Sequence, residues 1–264
     1  MKKLLIDAGN SGIKWALLDH GQLSSMQSCL YESHSPFEKF NDVFKQQQKL
    51  SNFDEVIMVS VLGDDYKATA KKLLQDAKHK FFIVNSSSEL AGVTSAYSEP
   101  HKLGTDRLVA MVAAYHLEAS QASIVIDSGT ATTIDAIDAH GQHLGGLILP
   151  SIDLCTQSLL EKTSMLASFS KNKHNFEPNI FSTNTKQAIA SGSLFGLIGA
   201  IKHICLIMEK AIQQKNTSNI VIKKLICGGS ASKLLPYLSQ EFKYHENLLM
   251  QGLKVISEQN EKPN

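Results

Sequence analysis

An apolar run that delivers an aspartate into a small glycine-containing turn occurs twice in this chain, with Asp7 and Asp127 120 residues apart. The first copy is Leu4-Leu5-Ile6-Asp7-Ala8-Gly9-Asn10-Ser11-Gly12 and the second is Ile124-Val125-Ile126-Asp127-Ser128-Gly129-Thr130-Ala131-Thr132. Each reads as a buried strand, a turn and a further strand. Such a turn suits a phosphate-and-cation site: glycine lets backbone N–H groups approach an anion, a hydroxyl or amide donates to it, and the carboxylate holds a cation. Two copies heading the same order of elements point to a duplicated fold with a nucleotide between the halves.

The element order supports duplication. Leu4–Ile6, Ile13–Leu18 and a segment near Gln22–Cys29 read as strands, with His20-Gly21 as a turn. Ser35-Pro36 opens a helix running to Leu50, with Ser as N-cap and Pro at the first helical position. Val56–Val61 is a β-branched strand, Asp64–Ala77 a helix, Phe81–Val84 a strand and Leu103–Leu117 an amphipathic helix. The second half repeats the β-β-β-α-β-α-β-α order with additions. Its strands are Ser123–Asp127, Thr132–Asp138 and His143–Leu149, with a turn at Ala139-His140-Gly141; helices follow at Ser151–Lys162 and Asn184–Gln213. Ser170–Asn179 reads as a polar loop, Lys223–Ile226 as a strand, and Ser230–Leu238 and Asn247–Ile256 as helices. Strands mixed with crossover helices predict α/β architecture with mixed sheets. The expected domains are residues 1–119 and 120–264.

Composition excludes several classes. Net charge is +1, and no basic cluster interleaves with aromatics, which argues against nucleic acid as a partner. No apolar stretch reads as reaching the about 18 residues of a membrane span, and the N-terminal run is too short for a signal-peptide core. Cys29, Cys155, Cys205 and Cys227 are scattered without C-x-x-C spacing, as reduced thiols of a cytoplasmic protein would be, which also argues against zinc.

The chemistry-bearing residues each have a plainer alternative. Asp7 with Asn10 and Ser11 suits a cation-linked phosphate site or an ordinary β-hairpin. Lys14 could neutralise phosphate or sit solvated on its strand. Asp127 is a candidate cation ligand and Thr130 a phosphate donor, or both belong to a strand-end turn. Gly104-Thr105-Asp106-Arg107 opens a helix, where an acid simply complements the helix dipole. Yet Asp106 beside Arg107 could supply a general base and a two-point carboxylate clamp, in a pocket shaped by Tyr97 and Pro100. The ten histidines have no metal-ligand spacing and read mostly as surface residues. The P-loop and α/β-hydrolase signatures are absent.

Together these motifs resemble the type III pantothenate kinases (Bvg accessory factor-like), a branch of the acetate kinase, sugar kinase, Hsp70 and actin superfamily. The resemblance rests on Asp7-Ala8-Gly9-Asn10-Ser11, Tyr97-x-x-Pro100-x-x-Leu103-Gly104-Thr105-Asp106-Arg107 and Asp127-Ser128-Gly129-Thr130-Ala131-x-Thr133. It continues through Gly145-Gly146-x-Ile148-x-Pro150, Asn184-Thr185 with Ala190-Ser191-Gly192, and Gly228-Gly229. It implies two ribonuclease-H-like (actin-like ATPase) domains, a homodimer, and ATP-dependent phosphorylation of pantothenate to 4'-phosphopantothenate, the first step of coenzyme A biosynthesis. Mg²⁺ and a monovalent cation (K⁺ or NH₄⁺) are the implied cofactors. By the same resemblance Asp106 is the general base, and Tyr97, Gly104, Thr105, Arg107 and Thr185 contact pantothenate. Asp7, Ala8, Gly9, Asn10, Ser11, Gly12, Ile13, Lys14 and Thr130 bind ATP, and Asp127 is the monovalent-cation ligand. The rivals are another small-acid or sugar kinase of the superfamily, and a role in transcriptional regulation for which some relatives were named. One departure is Ser151, where the family usually has Gly after Pro150; it is either strained there or the N-cap of the following helix.

Overall fold

The computed structural model describes residues 1–119, 121–162, 177–216 and 219–260. Contacts gather the chain into two compact units. One comprises Met1–Gln121, Ile137–Gly145 and Asn247–Asn264; the other comprises Ala122–Ala136 and Gly146–Glu246.

In the first unit, β1 (Lys2–Ala8) and β2 (Gly12–Asp19) are followed by the short β3 (Gln22–Leu23) and β4 (Gln27–Leu30). The single third strand expected over 22–29 is therefore split in two. Helix α1 (Pro36–Ser51), β5 (Glu55–Ser60), α2 (Asp64–Asp76) and β6 (Lys80–Ile83) follow. The sheet order is β3-β2-β1-β5-β6, with β4 also paired to β2. Strand β1 is antiparallel to β2 and parallel to β5. This central position explains its unbroken apolar run, because Leu4, Leu5 and Ile6 are all fully buried. The Ser35 cap forms as expected: its hydroxyl accepts from Glu38 N–H, and the Glu38 carboxylate accepts from Ser35 N–H, a complete capping box. A two-stranded ribbon, β7 (Glu89–Leu90) and β8 (Val93–Thr94), then leads to α3 (Thr105–Leu117).

The second copy of the turn joins β9 (Ser123–Ser128) to β10 (Ala131–Ile137), and β11 (His143–Pro150) follows. Helix α4 (Ile152–Lys162), α5 (Thr185–Gln214), β12 (Lys223–Cys227), α6 (Ala231–Leu234), β13 (Phe242–Tyr244) and α7 (Leu248–Gln259) complete the chain. The second sheet runs β11-β10-β9-β12-β13, the same order of first, second, third, fourth and fifth strands as the first sheet. Topology thus carries the duplication: Asp7 ends β1, and Asp127 occupies the corresponding place in β9. Strand β13, the counterpart of β6, is absent from the sequence reading. Of the loop expected over 170–179, residues 177–179 carry neither helix nor strand, and the rest lies outside the described residues.

Two expectations about the second half resolve clearly. Ser151 is not strained: it is not among the positive-φ residues, and its hydroxyl accepts from Leu154 N–H at 3.2 Å, so it caps α4. The membrane reading needs correction, because α5, at 30 residues, is long and apolar enough to cross a membrane by length and composition. Its burial pattern is that of a packed helix, with Ser191, Leu194, Ile198, Ile201 and Cys205 buried at helical spacing. The Glu209 carboxylate on α5 also meets the buried Lys224 of β12 at 2.7 Å. Burial works against the charge of Lys224, but hydrogen bonds to Glu209 and Glu241 hold its pKa above the usual lysine value.

Candidate active site

The first turn is built on the pairing of β1 with β2. Gly9 N–H donates to the Gly12 carbonyl at 3.0 Å, which closes the hairpin and leaves Asn10 and Ser11 exposed at its tip. Asp7 is 6% exposed, lies opposite Lys14 in the strand register, and has the Lys14 ammonium 3.9 Å from its carboxylate. A carboxylate, an ammonium and exposed donors therefore share one strand end. Two neighbours are structural in their side chains. Ile13 is fully buried in the aromatic core beside Phe40 and Phe44. A side chain on Gly12 would begin 2.5 Å from the Cys29 carbonyl, so β4 rather than a ligand forbids one there. These residues, like Ala8, have only backbone to offer a nucleotide.

The second turn differs chemically. Gly129 N–H donates to the Ala131 carbonyl, Thr130 is exposed, and Ser128 is fully buried with its hydroxyl 3.4 Å from that of Thr132. Gly228, with φ +95°, faces this turn: a methyl group there would run into Asp127 Oδ1 and the Ser128 carbonyl. The Ala131 carbonyl and Asp127 Oδ1 each lie 3.7 Å from where a side chain on Gly129 would begin. The Asp127 carboxylate and the Ser128 carbonyl, packed against a glycine that admits no side chain, form a hard-oxygen donor set, which fits an alkali cation. No trio of His, Cys, Asp or Glu positioned for a metal ion occurs among the described residues.

The start of α3 gathers the third cluster. Asp106 Oδ1 accepts the Arg107 backbone N–H at 2.8 Å, so the acid does complement the helix N-terminus. The same oxygen folds to 2.7 Å from where a Gly104 side chain would begin, so glycine makes room for the carboxylate. Arg107 is 6% exposed, and its Nη1 donates to the Tyr97 hydroxyl at 2.9 Å, with the guanidinium carbon 5.7 Å from the ring centre. The structure thus brings together Tyr97, on a loop, and Arg107, on a helix, which the sequence places near one pocket. Thr105 turns away from the cluster: its buried hydroxyl lies 3.0 Å from that of Ser86, which donates to the Leu103 carbonyl. Thr185 lies in the second unit, exposed in the first turn of α5, whose N-cap Asn184 accepts from Gln187 N–H.

Two residues of this region escape sequence reasoning. Ser86 anchors the α3 start, and His143, among histidines read mostly as surface residues, is 1% exposed and stacked on Tyr97 at 6.0 Å between ring centres. A lone Ser and a lone His carry no local signal; only tertiary placement finds them.

Two sheets of this order, each delivering an aspartate into a small glycine turn, are the fold of the actin-like and sugar-kinase class. Solved structures agree on the fold: a conserved Baf-family protein from Campylobacter jejuni aligns with TM-score 0.58 at 22% identity, covering 97% of this chain and 98% of that one. MreB5 of Spiroplasma citri bound to ADP aligns with TM-score 0.52 at 9% identity, covering 98% and 97%. The sequence profile of the type III pantothenate kinases matches residues 3–206. Type III pantothenate kinases from Janthinobacterium sp. (strain Marseille) and Aromatoleum aromaticum are 30% and 32% identical to this chain; the alignments cover 96% of this chain in both cases, and 96% and 97% of the relatives. The chain belongs to the type III pantothenate kinase family, which uses ATP to phosphorylate pantothenate in coenzyme A biosynthesis.

Proposed function

We propose that the α3 start is the pantothenate pocket and that Asp106 is its general base. The observation that carries this reading is the arrangement at Gly104: one carboxylate oxygen of Asp106 is tied to the helix N-terminus while Arg107 and Tyr97 are linked beside it. Asp106 accepts the proton of the pantothenate hydroxyl as that oxygen attacks the γ-phosphorus of ATP, and the bond to the β,γ-bridging oxygen breaks to release ADP. Arg107 and Tyr97 hold the polar end of the substrate, with backbone of Gly104 and Thr105 and the Thr185 hydroxyl as further contacts. Asp7 through Lys14 and Thr130 take the ATP phosphates. Asp7 would hold Mg²⁺, and Asp127 with the Ser128 carbonyl would hold the monovalent cation, K⁺ or NH₄⁺. Bound cations offset phosphate charge, and positioning with electrostatics supplies most of the rate. In this reading residues 1–119 and 120–264 are the two repeats, the enzyme is a cytoplasmic homodimer, and neither nucleic acid nor membrane is a partner.

Asp106→Asn is the test, because the amide oxygen still accepts the Arg107 N–H while basicity is gone. The variant should melt like the parent and lose kcat by about 100-fold or more, as expected for removal of a general base. A coupled assay with pantothenate, Mg-ATP and K⁺ reads this, and parental turnover in the variant dismisses Asp106 as the base.

A further inference from the structure

Tyr97 has no secondary structure to hold it. It follows β8 on an irregular loop, yet it carries the hydroxyl that meets Arg107. The loop is instead braced by the 141–143 turn, which belongs to the same compact unit. Thr94 N–H donates to the Gly141 carbonyl at 2.9 Å, and Gln142 Nε2 donates to the Thr94 carbonyl at 3.3 Å. Gly141, with φ +80°, comes so close to the Gly92 carbonyl that no side chain fits there. His143 extends this brace to the residue that matters. Its Nδ1 accepts the Ala96 N–H at 3.4 Å, and its ring lies nearly parallel to that of Tyr97, with 17° between the planes. An accepting Nδ1 places the imidazole proton on Nε2. The buried imidazole thus fixes both the backbone just before Tyr97 and the plane of the Tyr97 ring, while Ser95 Oγ accepts the Tyr97 N–H at 3.2 Å. Arg107 then meets a phenol already set in position.

We infer that His143 is a positioning residue for the acceptor substrate: it clamps Tyr97, and through it Arg107, in the geometry that binds pantothenate. This rests on the assignment of Tyr97 and Arg107 to the pantothenate pocket. The clamp acts on binding of the acceptor and not on the nucleotide or the proton transfer, so its signature is a split between kinetic constants.

Two variants separate its two contacts. His143→Phe keeps a flat ring and loses the acceptor; His143→Asn keeps an acceptor near Nδ1 and loses the ring. Each should raise KM for pantothenate about tenfold, the scale of one lost hydrogen bond or ring contact. The kcat and the KM for ATP should stay within about twofold, since neither contact reaches the nucleotide turns. In a Tyr97→Ala background the His143 substitutions should add nothing, because their target is gone. Tyr97→Ala also separates the premises. If it raises KM for pantothenate and the His143 variants do not, the clamp is overturned and the pocket stands. If Tyr97→Ala itself leaves that KM unchanged, pocket and clamp fall together. A parallel rise in the KM for ATP overturns the clamp in favour of a general structural role. The wild-type enzyme supplies a readout independent of variant folding. With ¹⁵N-labelled histidine, the His143 ring should show the Nε2–H tautomer and shift on saturation with pantothenate alone; an unshifted ring overturns the inference.

Discussion

Gly228 shows how a single residue separates two turns that look alike. Asp7 has an ammonium at 3.9 Å, whereas Asp127 shares its surroundings with carbonyl oxygens and a glycine that cannot carry a methyl group. Gly228→Ala forces a side chain into left-handed backbone and against Asp127, so either the strand end shifts or the oxygens part. The expected outcome is a loss of K⁺ activation, read as a rise of about tenfold or more in the K⁺ concentration for half-maximal rate, with a lower melting temperature. Asp127→Asn should reproduce the weakened K⁺ response without the melting penalty, and an unchanged K⁺ response in both variants dismisses the site. The two aspartates were legible because a strand ending in Asp-x-Gly is a local pattern. Their difference was not, because the glycine packed against Asp127 and the Ser128 carbonyl comes from about a hundred residues away, and Lys14 reaches Asp7 only through strand pairing. His143 was invisible for the same reason: its partners, Ala96 and Tyr97, lie more than forty residues earlier.

At the scale of elements, what could be read was what is determined within one turn of chain. The Ser35 start of α1 is such a case, with hydroxyl, proline and Glu38 all within four residues. Ser35→Ala removes one half of the capping box and should lower stability by about 1 kcal/mol, a drop of about 2–4 °C in melting temperature for a chain of this size. Activity at 25 °C should not change, because α1 carries none of the proposed ligand contacts; a thermal melt beside the kinase assay checks both. Elements held by tertiary pairing were harder to see. Strand β13 is three residues long, and its parallel partner β12 begins about twenty residues earlier, so no periodicity announces it. Strands β3 and β4 read as one because both pair with β2 and only the break at 24–26 separates them. Helix α5 is apolar enough to mislead in the other direction, and the row of side chains it buries, from Ser191 to Cys205, is what marks it as a packed helix.

For the whole molecule, the location of uncovered apolar surface bears on assembly. Among the described residues, ten of the fourteen exposed large apolar side chains belong to the second unit. They include Leu147 and Ile148 on β11, which is an edge strand, Leu154 on α4, and Leu206 and Ile207 on α5. Apolar side chains gathered on an edge strand and two helices, while the first unit has few, are what a surface covered by a second copy requires. A stable pair buries about 800 Å² on each partner, and a charge placed within that area must be desolvated without a counter-ion. Ile148→Asp and Ile207→Asp introduce such charges at positions 65% and 53% exposed, so neither disturbs the core of the subunit. Sedimentation velocity at micromolar concentration should show the parent as a dimer and the double variant as a folded monomer with an unchanged far-ultraviolet spectrum. A parent that sediments as a monomer, or a double variant that remains dimeric, places the contact elsewhere or removes it.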